Sequence, residues 1–175
     1  QGAMAMMGAY AVVVLAGGFG LSMWVAIPLA LAVMFAFGVA LERVALRRMI
    51  GQPVIMVIML TIGLEIFLRG VIPGFFGAAV KRLDLGISNA PIFMGDLLLN
   101  RAILIGGGVS LGLILLSILF FNSRFGIIMR AVSDNQTASW SVGIRVERAI
   151  AVAWGLSACM ATTSGVLWGA TQGVW

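Results

Sequence analysis

The chain of 175 residues is 62% apolar and only 10% charged, with a mean hydropathy of +1.13 and a formal net charge of +5. A soluble domain carries about 25% charged residues, so too few remain here to clothe a water-facing surface, and the chain is built for lipid. Histidine is absent and Cys159 is the single cysteine, which excludes an intrachain disulfide and any histidine-based metal or acid–base chemistry.

No metal and no cofactor is expected, and Cys159, inside an apolar run, reads as a buried inert thiol. Lipid offers no partner to backbone polar groups, so only helices and closed barrels span it. Barrel strands alternate apolar and polar residues over about 10 positions, whereas the apolar runs here continue over about 20. The fold class is therefore an all-α integral membrane protein, a polytopic helical bundle of about five transmembrane helices. Residues 1–175 are read as one transmembrane domain.

In chain order, the first span covers residues 2–19 and runs into "AGGFG", which predicts a broken helix rather than a straight one. The second, residues 21–41, contains Pro28, tolerable in a membrane helix whose neighbours re-satisfy the freed carbonyl. The third covers residues 53–76, the fourth 102–121 and the fifth 149–170. Gln1 opens in helical-looking sequence and Trp175 follows an apolar run, so the chain is expected to be a fragment of a longer protein. Glycines recur at four-residue spacing in Gly108 and Gly112 and in Gly165, Gly169 and Gly173, a spacing that lets membrane helices approach closely.

The connections fix the orientation. Arg43, Arg47 and Arg48 follow the second span, and Arg124, Arg130, Arg145 and Arg148 lie between the fourth and fifth. With five spans these two connections share a side, and it holds seven basic residues against the three of the remaining connection, Lys81, Arg82 and Arg101. Lys and Arg mark the cytoplasmic side, and the basic balance is spent on topology; nucleic acid is not an expected partner. Asp84 and Asp96 in that remaining connection do not count.

Two features remain after the spans are assigned. Glu65 and Arg69 fall inside the third span at i and i+4, on one helix face with the acid first, the better order for a pair. Glu65 lies about 18 Å along the helix from Pro53, near or just past the middle of a hydrocarbon core about 30 Å thick. An ionisable residue there is a functional candidate by default. It reads either as a structural ion pair facing the bundle interior or as a polar wall on a solute path. No second span holds an acidic residue, which disfavours a carboxylate proton relay.

The other feature is the polar run "RAVSDNQTASWSVGIRVER" within the loop of residues 122–148. "SDNQ" fits a capping box with Ser133 as N-cap and Gln136 at N3, and Asp134 suits the positive helix terminus. Gly143 stands where a left-handed residue ends a helix. A short helix over 134–142 is predicted, preceded by residues 123–132 as an interfacial continuation of the fourth helix. Such a helix either rests on headgroups or seats in the groove of a cytoplasmic partner.

Three stretches carry a family resemblance. They are "QGAMAMMGAY", "ERVALRRMIGQPVIMVIMLTIGLEIFLRG" and "SRFGIIMRAVSDNQTASWSVGIRVERAIAVAW". Together they resemble the inner-membrane permease subunit of ABC importers for branched-chain amino acids, in its LivH-like branch. The first looks like the end and sequel of the family's Asn-Phe-Ala-His/Gln-Gly motif. The second resembles Glu-Arg-x-x-x-Arg-Pro followed by a Thr-Ile-Gly-Leu helix, though Met49 replaces the proline. The third resembles Ser-Arg-x-Gly-x-x-x-Arg-Ala, and Asn135 stands in it where an acidic residue is commoner.

The resemblance implies that the third stretch docks on an ATP-binding subunit through Arg130, Ala131, Asp134, Ala138, Gly143 and Ile144. It implies that Gln1 and Gly2 belong to the translocation path, to which Glu65 is added from its position in the span. The implied partners are two ATP-binding subunits, a second permease subunit (LivM-like, or a second copy), and a periplasmic or lipid-anchored amino-acid-binding protein. Membrane lipids complete the surroundings. The implied location is the cytoplasmic membrane of a bacterium or archaeon, and the implied role is non-catalytic. The chain has no G-x-x-x-x-G-K sequence to bind ATP itself. A stand-alone secondary transporter or channel, a urea or short-amide permease, and a membrane scaffold are the alternatives. A transporter of the first kind would show repeats and several midplane ion sites, and neither is evident.

Overall fold

The structure, a computed structural model, describes residues 1–76, 91–94 and 97–172. Lys81, Arg82, Asp84, Asp96 and Gly173, singled out above, lie outside the described residues. The fold is all-α, with one small antiparallel hairpin of β1 (Pro91–Met94) and β2 (Leu97–Asn100), in which Pro91 pairs with Asn100 and Met94 with Leu97. The chain gathers into two compact units.

The first unit is built from α1 (Gly2–Val13), α2 (Met23–Leu41), α3 (Val54–Phe76) and α7 (Val146–Gln172). At 27 residues α7 is the longest helix, and α1 and α2 both lie against it. Small residues make that approach possible. A methyl group on Gly165 would collide with the Ala5 carbonyl oxygen, and one on Gly8 would collide with the Thr162 side chain. Gly38 lies on the Trp154 carbonyl and Ala158, and Gly155 lies under the Phe35 ring. With Cys159 Sγ donating to the Leu31 carbonyl, these pairings run in opposite directions along α2 and α7, so the two helices are antiparallel. The core at these seams contains Tyr10, Val12, Ala30, Met34, Ala158 and Thr162.

Among the described residues four helices are long and apolar enough to cross a membrane, over Met23–Met49, Val54–Phe75, Leu104–Phe121 and Val146–Ala170. The first predicted span is the exception. Its apolar helix, Gly2–Gly18, is shorter; its last five residues, Val14–Gly18, form a π-helical turn, and Gly20 just beyond takes φ 64°. The "AGGFG" run is where it breaks. A second π turn, Glu42–Leu46, ends α2 and passes into a 3₁₀ turn at Arg47–Met49. Such π turns are rare and concentrate at functional sites.

The second unit holds the hairpin, α4 (Arg101–Phe121), α5 (Arg124–Asp134) and α6 (Gln136–Ser141). Leu111, Leu115 and Leu119 of α4 are exposed, as suits a surface solvated by lipid. Among the described residues nothing lies within 4 Å of a methyl group placed on Gly108 or Gly112, so this glycine pair makes no close approach to any of them.

Candidate functional site

Three groups of polar side chains stand out against the apolar helices. The first joins α1, α3 and α7. Arg69 Nε donates to Glu65 Oε1 at 3.0 Å and Arg69 Nη2 lies 3.0 Å from the same oxygen. The backbone N–H of Ala3 donates to Glu65 Oε1 at 3.3 Å, and the Gln1 main-chain nitrogen donates to Oε2 at 3.0 Å. Gln1 Nε2 donates to Ser157 Oγ at 2.6 Å, which ties α7 into the cluster.

Gly2 is part of this geometry by having no side chain. A Cβ there would come within 2.7 Å of Arg69 Nη2 and 3.1 Å of Glu65 Oε1. Thus Gln1 and Gly2, from the first motif, meet Glu65 and Arg69, from the third span, at one place. Ser157 was not legible in the sequence, since a lone hydroxyl in an apolar helix carries no periodic signal.

The second group is the elbow of α5 and α6, and here the sequence reading needs correction. The short helix runs over Gln136–Ser141, not 134–142, and its N-cap is Asn135, whose Oδ1 accepts from the Ala138 N–H at 3.0 Å. Asn135 at φ −155°, ψ 105° breaks the helix after Asp134. Ser133 and Asp134 therefore lie in the last turn of α5, and Asp134 is not in the first turn of the short helix. Asn outranks or equals Ser as an N-cap, and the capping-box pattern had drawn attention two residues too early.

Residues 123–132 also do not continue α4. The chain turns at Asn122–Ser123, Ser123 opens α5, and the close approach of Gly126 to the Phe121 carbonyl leaves no room for a side chain. Arg130 Nη2 donates to that same carbonyl, which fills an acceptor orphaned at the end of α4.

The elbow is internally locked. Buried Ser139 donates through Oγ to the Ala131 carbonyl at 2.9 Å, across the break. At the far end Gly143 takes φ 81°, and its N–H reaches the Trp140 carbonyl while the Ile144 N–H reaches that of Ser139, both at 3.0 Å. This is the paired bonding of a Schellman cap. Trp140 and Val142 are left exposed on the surface beside Ala138.

The third group sits at the end of α2. Glu42 is fully buried, and among the described residues neither carboxylate oxygen has a hydrogen-bond partner. Arg47 Nε lies 4.0 Å from Glu42 Oε1, and Arg47 Nη2 lies 3.4 Å from Glu147 Oε2 in the first turn of α7. One guanidinium therefore stands between two carboxylates and holds the end of α2 beside the start of α7. Among the described residues no group of acidic, cysteine or histidine side chains could hold a metal ion.

Long apolar helices with charges held between them define a multi-pass membrane protein. The chain belongs to the family described as the permease component of the branched-chain amino acid transport system, which matches residues 1–175. It is similar to the high-affinity branched-chain amino acid transport system permease protein LivH of Escherichia coli K12 and of Escherichia coli O157:H7. Identity to each is 28% over 151 residues, covering 83% of this chain and 49% of the relative. The chain thus spans about half the length of the curated relatives it matches. No solved structure matches it significantly.

Proposed function

We propose that the chain is the permease part of an ABC importer that moves branched-chain amino acids inward, driven by ATP-binding subunits supplied as partners. The observation that carries this reading is the family match along the whole chain. In it, residues 1–175 act as one permease domain in a bacterial or archaeal cytoplasmic membrane. It works beside a second permease subunit and receives solute from an external binding protein. Gln1, Gly2 and Glu65 line the solute path.

The α5–α6 elbow is the coupling element. Arg130 and Ala131 form its α5 side, Asp134 its corner, Ala138 its exposed helix face, and Gly143 and Ile144 its cap. A segment that transmits force has to move as one piece. The Ser139 bond to Ala131 and the double bond of the cap supply that stiffness. Trp140 and Val142 at its surface give a partner groove something apolar to hold.

The test is co-purification of the full-length permease with its ATP-binding subunits, together with ATP-driven leucine uptake. Gly143→Pro forces φ away from 81° toward about −65° and destroys the cap, and Asp134→Arg reverses the charge at the corner. Both are expected to weaken association and to cut uptake. Unchanged association and unchanged uptake in both variants would sink the coupling assignment.

A further inference from the structure

Arg69 has two hydrogen-bonding edges, and among the described residues only one is in use. A guanidinium carries five N–H donors in a planar fork. Glu65 holds the side-on edge, Nε with Nη2, through a single oxygen. Among the described residues the end-on edge, Nη1 with the rest of Nη2, meets no acceptor, and 62% of the side chain is exposed. Glu65 is 30% exposed, and the Ala3 N–H anchors it in turn. The guanidinium is thereby fixed in direction, with its free fork turned away from its own anchor.

The place matters as much as the geometry. Arg69 lies about 22 Å along α3 from Val54, inside a span too apolar to hydrate it. An arginine facing hydrocarbon is costly, and one this far along the span carries its charge out toward the interface and its water. An end-on guanidinium open to water matches a planar carboxylate, which it bonds through two parallel N–H groups.

We propose that Arg69 is the carboxylate-recognition residue of the solute path, with Glu65 and Gly2 as its positioning residues. The solute class is then a compound bearing a free carboxylate, such as an amino acid, and uncharged ureas and amides lack the matching group. This inference rests on the importer reading above.

The experiment uses the full-length permease assembled with its ATP-binding subunits in proteoliposomes. Arg69 of the unaltered protein is labelled with phenylglyoxal in the absence of binding protein, and the rate is read by peptide mass. Leucine is expected to slow labelling at least threefold and leucinamide, which keeps the amine and side chain but lacks the carboxylate, to leave it unchanged. Equal effects of the two compounds, or none from leucine, overturn the proposal. Slowing that follows the phosphatidylglycerol content of the vesicle, and not leucine, assigns the fork to a lipid phosphate and also overturns it.

With binding protein added, Arg69→Gln is expected to lower leucine uptake at subsaturating concentration about tenfold, the worth of a charge-assisted hydrogen bond, and Arg69→Lys to restore part of it. Uptake by Arg69→Gln at the wild-type KM overturns the proposal. Wild-type leucine uptake reports on the importer reading itself. Uptake with unprotected Arg69 overturns this inference alone, and absence of ATP-driven uptake overturns both.

Discussion

At Gly165 the interior has no room for one methyl group, since it would collide with the Ala5 carbonyl oxygen. Overpacking of this kind costs about 1–3 kcal/mol, and here the obstacle is backbone, which cannot rotate aside. Gly165→Ala is therefore expected to lower the thermal unfolding midpoint of the full-length protein in detergent. Gly112→Ala should do the reverse, because among the described residues nothing lies within 4 Å of the added methyl and Ala is favoured over Gly in a helix by about 0.5–1 kcal/mol. The same four-residue glycine spacing thus has opposite consequences in α4 and α7. Spacing shows that close approach is possible, and only the neighbour shows whether it happens.

Glu42 gives a second residue-scale prediction. A buried carboxylate without hydrogen bonds loses its solvation, and Arg47 at 4.0 Å returns little of it. Burying a charge costs a lot unless it is paired and hydrogen-bonded, and a neutral amide of the same shape costs less. Glu42→Gln should therefore hold or raise the unfolding midpoint, whereas a clear fall would show that the charge itself stabilises this turn.

At the scale of elements, the lipid-embedded helices were legible because unbroken apolar runs of span length have few alternatives. The elbow was legible only in part. Gly143 announced the end of the short helix, and its φ of 81° agrees. The start was misplaced because Ser133 and Asn135 are both good caps and lie two residues apart. The lock across the break, Ser139 to Ala131, was invisible, since nothing in a sequence says which hydroxyl will be buried. Substitution separates the two caps. Asn135→Ala should cost about 1 kcal/mol, and Asn135→Asp should retain the cap. Ser133→Ala, at an exposed position inside α5, should stay within about 0.5 kcal/mol. Hydrogen exchange at the Ala138 amide, which donates to Asn135, reports the loss directly; faster exchange in Ser133→Ala than in Asn135→Ala would restore the capping-box reading.

At the scale of the molecule, two independent lines bear on which ends of the helices share a side. The basic-residue count puts the end of the second span and the loop before the fifth in the cytoplasm. Within the first unit, Arg47 reaches Glu147 at 3.4 Å, and α2 and α7 are antiparallel. The end of α2 and the start of α7 therefore lie at one end of that unit without any appeal to charge. The polar cluster at Gln1, Glu65 and Ser157 could be assembled only in three dimensions, because its members come from three helices far apart in the chain. Sidedness is open to direct measurement. In a Cys159→Ser background, cysteines at Val44 and Arg148, both exposed, should react with a membrane-impermeant maleimide in inverted vesicles and not in intact cells. A cysteine at exposed Phe19, beyond the π turn that ends the first helix, should show the opposite pattern. Labelling of Val44→Cys and Arg148→Cys from different sides would contradict the Arg47–Glu147 contact as well as the charge rule. Labelling of both from outside would keep the contact and invert the protein in the membrane.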